Sequence, residues 1–520
     1  MEHAARQRRG AVAVVAVFVA SRVALWAAGV DFDTRPLHDS FALVDLELLR
    51  DDLVTTLAHL HTQPPLFNLA VGLGLQLGPG LALPGFHLAF LSLGLALALG
   101  LYAALVRMGT SVVVATIATA VLVCSPSVFL YESWFHYDYA VTTLLVLAVV
   151  ALQRYAQRRR PLDAAVFLGL LAAVTLTRSM FHLAWLVAWA VVVAVGARRE
   201  PPRARMAVAA AAVLSVVAVG GAYANSLRVS GEFASSTTLG ISVAKITTFQ
   251  LDDDVRRRLV EEGALSPYAL IYPASPLLQY RGLLEPHPPT GVAVLDRPTK
   301  EGADPSTPFR SNFNNLDYVE LSDHYLADAV HTVRLRPEAY LRGVTTAVRT
   351  FFRPPSAFFG LAGNRAEVDV VDRAYNLALL DLTATEKPPL SRTPGGGDRF
   401  APPPGGPTWL VVVAYALALV GGAVEVVARL RHRRPVLVLA FLWSTVAYVT
   451  VVGNLLEVGE NNRFRLYSDP LVLLLVVALL GFVGAKLLRR DIRAHKGEGG
   501  TSPASPVCHA APVPSTVGRR

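Results

Sequence analysis

The chain has 520 residues, of which 53% are apolar and 17% are charged, and its formal net charge is +9. Since an average soluble domain carries about 25% charged residues, this composition excludes an ordinary soluble protein and predicts a polytopic membrane protein. The positive charge does not indicate a nucleic-acid partner, because the arginines cluster between apolar runs, where they orient a membrane protein. Cys124 and Cys508 lie too far apart in the predicted topology to pair, so neither a disulfide framework nor a zinc site is expected.

Ten apolar runs are each long enough to cross the roughly 30 Å hydrocarbon layer as a helix. They lie at residues 10–29, 85–106, 110–127, 139–155, 162–178, 181–197, 205–224, 408–428, 435–454 and 468–487. The first run lacks a small-residue cleavage site and therefore predicts a membrane anchor instead of a cleaved signal peptide. The expected fold class is an all-α polytopic membrane protein with about ten transmembrane helices.

A weaker apolar run lies at residues 66–80. Whether it crosses the membrane decides the orientation of every helix that follows it. If it does not span, basic clusters such as RYAQRRR and ARREPPRAR all fall on one side of the membrane, as cytoplasmic clusters do. The run is therefore predicted to be a juxtamembrane or re-entrant helix, with both termini cytoplasmic. Residues 30–84 and 225–407 are then extracytoplasmic.

This topology divides the chain into four parts. An N-terminal transmembrane module is expected at 1–224, an extracytoplasmic segment at 225–407, further transmembrane helices at 408–488 and a disordered cytoplasmic tail at 489–520. Within the second part, the stretch around RLRPEAYL predicts two helices broken near Pro337, the second ending before Pro354. This part is expected to form a partly helical cap.

Acidic residues follow the first apolar run directly. Asp31, Asp33, His38 and Asp39 lie within the stretch GVDFDTRPLHDS. A carboxylate at this place could take a proton from an acceptor hydroxyl. The alternative is a solvated flank without a catalytic role.

The stretch HLHTQPPLFN precedes the weaker run. Because proline suits the first turn of a helix and the residue before it is pushed out of helical geometry, Pro64 and Pro65 predict an abrupt chain turn. Such a turn would hold His61 and Gln63 beside the acidic loop, where they are candidate contacts of an acceptor molecule. Incidental polar neighbours of a helix start are the alternative.

The external turn YESWFHYDY contains Glu132, His136 and Asp138. An aromatic belt would explain its rings, but two carboxylates with a histidine could also bind a divalent cation. Tyr137 in this turn and Asn461 in a later one are further candidate acceptor contacts.

Basic residues at the predicted outer ends of helices break the positive-inside pattern. They are Arg178, Lys245, Arg463 and Arg465. Arginine presents a planar fork that suits phosphate oxygens, so these side chains are candidate contacts of a lipid phosphate. Salt bridges to Glu457, Glu460 or Asp469 are the alternative.

The order of these segments resembles the C-type membrane glycosyltransferases, in particular the family of protein O-mannosyltransferases and lipid A aminoarabinose transferases. The likeness rests on an acidic first loop, QPPLFN and SPSVFLYESWFHYDY over the first 190 residues, and continues through ENNRFRLYSDP. The resemblance implies an inverting transferase that uses a polyprenyl-phosphate sugar at the outer leaflet. An aspartate of the first loop would be its general base, here Asp33 or Asp31, where the family usually has an Asp-Glu pair.

The expected function is therefore sugar transfer from a polyprenyl-phosphate donor to a hydroxyl of a glycan, lipid or protein at the extracytoplasmic face of the plasma membrane. A transporter or lipid flippase is the first alternative, although most polar residues collect at the outer face and not at the bilayer midplane. A non-catalytic assembly factor that binds envelope polysaccharide through residues 225–407 is the second.

Overall fold

The computed structural model describes residues 2–302, 310–381 and 406–498, with only the backbone of Pro79 and of residues 483–498. These residues form twenty-two α-helices and no β-strand. The predicted all-α class is confirmed.

Twelve helices come before the long segment that separates the two groups of apolar helices. They are α1 (Glu2–Ala27), α2 (Pro36–Asp39), α3 (Leu46–Asp51), α4 (Leu53–Ala58), α5 (Pro65–Leu75), α6 (Pro79–Arg107), α7 (Val112–Val123), α8 (Pro126–Glu132), α9 (Tyr137–Arg158), α10 (Pro161–Thr175), α11 (Leu183–Gly196) and α12 (Pro202–Ser230). Five of them, beyond the very short α2, begin with proline, whose fixed φ suits the first helical position.

Six helices follow in residues 231–381, which we call the interhelical segment. They are α13 (Leu239–Ile246), α14 (Asp253–Glu261), α15 (Ala293–Asp296), α16 (Asp317–Leu335), α17 (Pro337–Phe351) and α18 (Asp369–Ala378). The break predicted near Pro337 and the end predicted before Pro354 are both confirmed.

Four helices complete the described chain: α19 (Trp409–Ala416), α20 (Gly422–Arg431), α21 (Leu437–Leu456) and α22 (Asn461–Glu498). A π-helical turn, Leu417–Gly421, joins α19 to α20. Helix α22 continues to Glu498, and residues 499–520 of the predicted tail lie outside the described part of the chain.

Seven helical stretches in the described residues are long and apolar enough to cross a membrane. They are α1, α6, α9, α12, the α19–α20 unit, α21 and the part of α22 up to Phe482. The pair α7 and α8, bent by 60°, would be an eighth. The prediction of several membrane-spanning helices is thus confirmed, but the number of about ten is not. Helices α10 and α11 have 15 and 14 residues, fewer than the roughly 20 that a span needs.

Helix α5 has 11 residues, which extend about 16 Å. It is too short to cross a bilayer of roughly 30 Å, as expected for the weaker run. Its first residue is Pro65, so the chain turn predicted at Pro64 and Pro65 is present.

Helix α9 is the centre of the bundle and packs against α6, α10, α21 and α22. The loop between α1 and α5, residues 28–64, lies at the same end of the bundle as the interhelical segment. Lys300 Nζ in that segment donates to the carbonyl oxygens of His38 and Ser40 at 3.2 and 2.6 Å. Arg297 of the same segment contacts Asp45 at 3.3 Å. The polar side chains of both parts therefore meet at this end.

Candidate functional site

A cavity of about 290 Å³ opens at this end of the bundle, and we call it the Asp33 cavity. Its lining comes from the first loop, the turn before α9, the chain after α17 and the start of α22. The lining residues are Asp33, Arg35, Pro36, Asp39, Ser40, Phe41, Trp134, His136, Phe358, Phe359, Gly360, Ala362, Glu460 and Arg463. Three of the segments singled out in the sequence thus contribute to one cavity.

The backbone of Asp33 is fixed by the turn before α9. Its N–H donates to the Ser133 carbonyl at 2.7 Å, and its own carbonyl accepts from the Phe135 N–H at 3.0 Å. These two bonds form an isolated parallel bridge between Asp33 and Trp134. The bridge holds the acidic loop against the turn that contains His136.

The Asp33 carboxylate is oriented by Arg35. Arg35 Nε donates to Oδ1 at 2.9 Å and Nη2 donates to Oδ2 at 2.6 Å. The Asp33 side chain is 10% exposed, whereas that of Arg35 is 58% exposed. The hydrogen bond that Arg35 donates to Asp33 raises the pKa of Arg35, so the guanidinium stays charged. Its exposure leaves it room to move.

Asp31 does not line the cavity. Its side chain is exposed, and its backbone is held by Asn364, which accepts from the Asp31 N–H at 3.1 Å and donates to its carbonyl at 2.7 Å. Of the two predicted catalytic aspartates, the structure therefore brings only Asp33 into contact with this cavity.

His136 is buried in the wall of the cavity. Its Nδ1 lies 2.8 Å from Asp138 Oδ2, and its ring stacks on Trp134 with centroids 4.3 Å apart. Burial lowers the pKa of His136, although Asp138 opposes this change. The imidazole is therefore neutral near pH 7, and with Nδ1 directed to Asp138 its Nε2 is the ring nitrogen left to accept a proton.

Arg463 supplies a buried cation to the same cavity. Its Nη2 lies 2.8 Å from Glu460 Oε2, and its Nε lies 3.6 Å from Asp138 Oδ2. Its guanidinium stands 5.2 Å from the centre of the Phe358 ring. The buried Nε faces Asp138 without forming a hydrogen bond among the described residues, so Arg463 joins the cavity to the buried carboxylate beneath it.

Asp138 is the centre of a buried network beneath the cavity. It accepts from the Tyr467 hydroxyl and faces His136 and Arg463. The predicted phosphate contact Arg178 donates to the hydroxyl of Tyr137. Neither Arg178 nor Tyr137 lines the cavity. Both residues lie in the buried region beneath it.

Two other predicted phosphate contacts are used in ion pairs elsewhere. Arg465 Nε donates to Asp469 Oδ2 at 3.1 Å, and Lys245 Nζ lies 2.5 Å from Glu457 Oε1. Each of these two side chains therefore forms a salt bridge, the alternative to a phosphate contact, with a carboxylate that is not part of the cavity.

The predicted metal site is not assembled, because its three members face different partners. Glu132 accepts from Arg22 Nε at 2.8 Å, from Arg22 Nη2 at 2.6 Å and from the Tyr139 hydroxyl at 2.6 Å. His136 and Asp138 contact each other instead.

Within the described residues, Asp45, Glu47 and Glu301 are the one acidic or histidine group compact enough to hold a metal ion. Arg297 Nη1 lies 3.3 Å from Asp45 and 2.9 Å from Glu47, so a guanidinium already contacts two of the three carboxylates.

The predicted acceptor contact His61 lies outside the lining of the Asp33 cavity. Both ring nitrogens are used, Nδ1 by the Thr237 hydroxyl and Nε2 by the Asn314 carbonyl, each at 2.9 Å. Burial lowers the pKa of His61 from 6.5 to about 4. His61 therefore joins the first loop to the interhelical segment as a neutral side chain.

Gln63 and Asn461 also lie away from the Asp33 cavity. Gln63 lines a separate small cavity of about 30 Å³ together with Tyr223. Asn461 donates to the carbonyls of Gly453 and Glu457, both at 2.9 Å. Neither residue is positioned to contact a molecule that is bound beside Asp33.

Several cavity residues were not predicted from the sequence. Arg35 follows Asp33 at a spacing of two, and this pair of opposite charges is the local signal for their contact. Phe358 and Gly360 carry no local signal, because they lie more than 300 residues after Asp33 and only the fold brings them to it. Glu460 was considered only as a salt-bridge partner.

No protein-family model, curated protein sequence or solved structure matches this chain.

Proposed function

We propose that this protein is an integral membrane glycosyltransferase that moves a sugar from a polyprenyl-phosphate donor to an acceptor hydroxyl. One observation carries the proposal: a single cavity contains the carboxylate of Asp33, the neutral imidazole of His136 and the buried guanidinium of Arg463. The first two are proton acceptors, and the third is a phosphate-binding group. Glycosyl transfer from a lipid phosphate can use a proton acceptor for the acceptor hydroxyl and a cation for the leaving phosphate.

Arg463 is the donor-phosphate contact in this proposal. Arg463 lines the Asp33 cavity, and charge-assisted bonds from arginine to phosphate oxygens are strong. As the bond between the anomeric carbon and the phosphate oxygen breaks, the electron pair leaves with the polyprenyl phosphate. The buried guanidinium stabilises that developing charge.

Asp33 is the general base. The acceptor oxygen attacks the anomeric carbon, and its proton passes to the Asp33 carboxylate as the new bond forms, with inversion at that carbon. A carboxylate has about four lone-pair positions, so the side-chain bonds from Arg35 do not occupy all of them. Arg35 orients the base, and its exposed guanidinium is free to shift when an acceptor enters.

The remaining walls suit the apolar face of a sugar. Trp134, Phe358 and Phe359 line the cavity, and Trp134 meets Phe358 edge to face with centroids 5.6 Å apart. Aromatic rings supply rigid contact area of this kind.

The proposal includes the topology expected from the sequence. Ten spans, with α10 and α11 among them, would place both termini in the cytoplasm and the Asp33 cavity on the extracytoplasmic side of the plasma membrane. The positive-inside distribution of the arginine clusters supports this orientation.

The test is transfer by the purified protein from a panel of radiolabelled polyprenyl-phosphate sugars. Arg463→Gln should lose most transfer and bind the donor more weakly. Arg465→Gln is the matched control, because it also removes a buried arginine of α22 but one that pairs with Asp469. Equal activity of both variants would contradict the role of Arg463. A parallel transfer assay with a chelator tests whether the predicted divalent cation is needed.

A lipid flippase or transporter is the second candidate. The 60° break between α7 and α8, with the Arg22 and Glu132 pair beside it, is a feature that transporters use near their binding sites. Movement of a labelled glycolipid across vesicles without sugar transfer would favour this function over transfer.

A further inference from the structure

Helix α18 turns its apolar side outward. Val370, Val371, Ala374 and Leu377 are all exposed, and their spacing places them on one side of a helix. Val370 is 74% exposed and Leu377 is 52% exposed. Leu380 follows directly after the helix and is 51% exposed.

The polar side of α18 faces the protein. Asp372 and Asn376 are only 4% and 6% exposed, and Asn376 donates to Asp372 at 2.8 Å. The Tyr375 hydroxyl is hydrogen-bonded to Ser125 at the start of α8. A helix that lies on a water-covered surface has the opposite arrangement, with apolar residues inside and polar residues outside.

The apolar side of α18 leads into a helix that is long enough to span. The Leu410 N–H donates to the Leu379 carbonyl at 3.2 Å, so the end of α18 adjoins the start of α19. Trp409, Leu410 and Val413 of α19 are exposed as well, and they begin one of the apolar stretches that could cross a membrane. The two exposed surfaces are therefore neighbours.

We propose that α18 is an in-plane membrane helix whose side formed by Val370, Val371, Ala374 and Leu377 lies among lipid acyl chains. Its 10 residues extend about 15 Å, which is too short to cross the bilayer but suits a position along its surface. Its continuity with α19 favours lipid as the occupant. Residues 382–405, the nearest chain outside the described part, are rich in proline and glycine and poor in large apolar side chains.

This placement would bring one wall of the Asp33 cavity to the lipid surface. The chain just before α18 contributes Phe358, Gly360 and Ala362 to the cavity, and Asn364 binds the backbone of Asp31. A lipid-linked donor could then reach the cavity while its tail stays in the leaflet. This consequence rests on the proposed function, whereas the position of α18 does not.

The test uses nitroxide labels on the full chain in phosphatidylcholine vesicles. In a background with Cys124→Ala and Cys508→Ala, single cysteines replace Val370 or Leu377. Val424→Cys, at a 65% exposed site in a candidate span, is the lipid reference. Asp254→Cys, where the side chain is 87% exposed, is the water reference. Collision rates with oxygen and with a water-soluble nickel chelate are measured by power saturation.

Labels at residues 370 and 377 are expected to match the lipid reference, with oxygen collisions dominant. Dominant nickel collisions, as at the water reference, would overturn the proposal. Exclusion of both reagents would show that residues of the same chain cover this surface. Spin–spin broadening would show that a second copy of the chain covers it. Either result would also overturn the proposal. If one variant fails to elute like the wild type, Val371→Cys replaces it. Because no sugar transfer is measured, the outcome is independent of the proposed enzymatic activity.

Discussion

Arg22 and Glu132 form a two-point ion pair that joins α1 to the end of α8. Nε and Nη2 of Arg22 donate to the two carboxylate oxygens of Glu132 at 2.8 and 2.6 Å, and the side chains are only 11% and 6% exposed. Arg22 lies within an apolar helix, where an unpaired charge is costly. The pair explains how a charge is accommodated at that depth.

Removal of one partner of this pair should destabilise the protein more than removal of both. We expect Arg22→Met to lower the free energy of unfolding by about 3–5 kcal/mol, the usual effect of leaving one buried charge without its partner. The double variant Arg22→Met/Glu132→Gln should lose less than half of that amount. Thermal unfolding in detergent measures both, and equal losses would contradict the role assigned to the pair.

Gly94 provides a steric test of the same pair. A Cβ atom at this position would collide with Glu132 Oε2 and approach Phe18 to 2.9 Å. Because Arg22 and Tyr139 hold the carboxylate, it cannot move away freely, and Gly94→Ala should cost about 1–3 kcal/mol. Gly169→Ala is the control, since nothing lies within 4 Å of its new methyl group. A stable Gly94→Ala protein would show that Glu132 has another position.

The stability of the protein should fall in mild acid through His61. Its pKa in the folded protein is about 4, below the ordinary 6.5, so the unfolded chain binds the proton more tightly. The contribution of the neutral side chain to the free energy of unfolding is complete above pH 6.5 and is lost as the pH falls towards 4. The loss over that interval is about 3 kcal/mol. His61→Gln should show a flatter pH dependence of unfolding between these values. An unchanged slope would place the titration on other groups.

Gly363 should control the geometry of the candidate base. Its missing Cβ would meet Arg35 Nη2 and come within 2.9 Å of Asp33 Oδ2. Gly363→Ala should displace this pair while the fold is kept, because Arg35 is exposed. We expect sugar transfer to fall roughly tenfold to a hundredfold, as a small misplacement of a reacting group does. Gly220→Ala, with no atom within 4 Å, should transfer at the wild-type rate.

Local patterns predicted the elements of this fold well. The apolar runs and the helix starts at Pro65 and Pro337 depend only on nearby residues. The number of spans was less predictable, because α10 and α11 are interrupted before they reach a spanning length.

The candidate site was only partly predictable, because its contacts join distant parts of the chain. Asp31 and Asp33 are equivalent in sequence, and Asn364, 333 residues after Asp31, separates their roles. A histidine such as His61 could contact an acceptor, but Thr237 and Asn314 occupy both of its ring nitrogens. Local spacing contains no information about such partners.

The comparison of Asp33→Asn with Asp31→Asn tests the central claim most directly. The two aspartates are two residues apart, but only Asp33 lines the cavity. With a polyprenyl-phosphate sugar as donor, Asp33→Asn should lower the transfer rate by about 10²–10⁴-fold, the usual contribution of a general base. Asp31→Asn should transfer at close to the wild-type rate, because its exposed side chain does not line the cavity. Full activity of Asp33→Asn in a normally folded protein, or an equal loss in Asp31→Asn, would contradict this account.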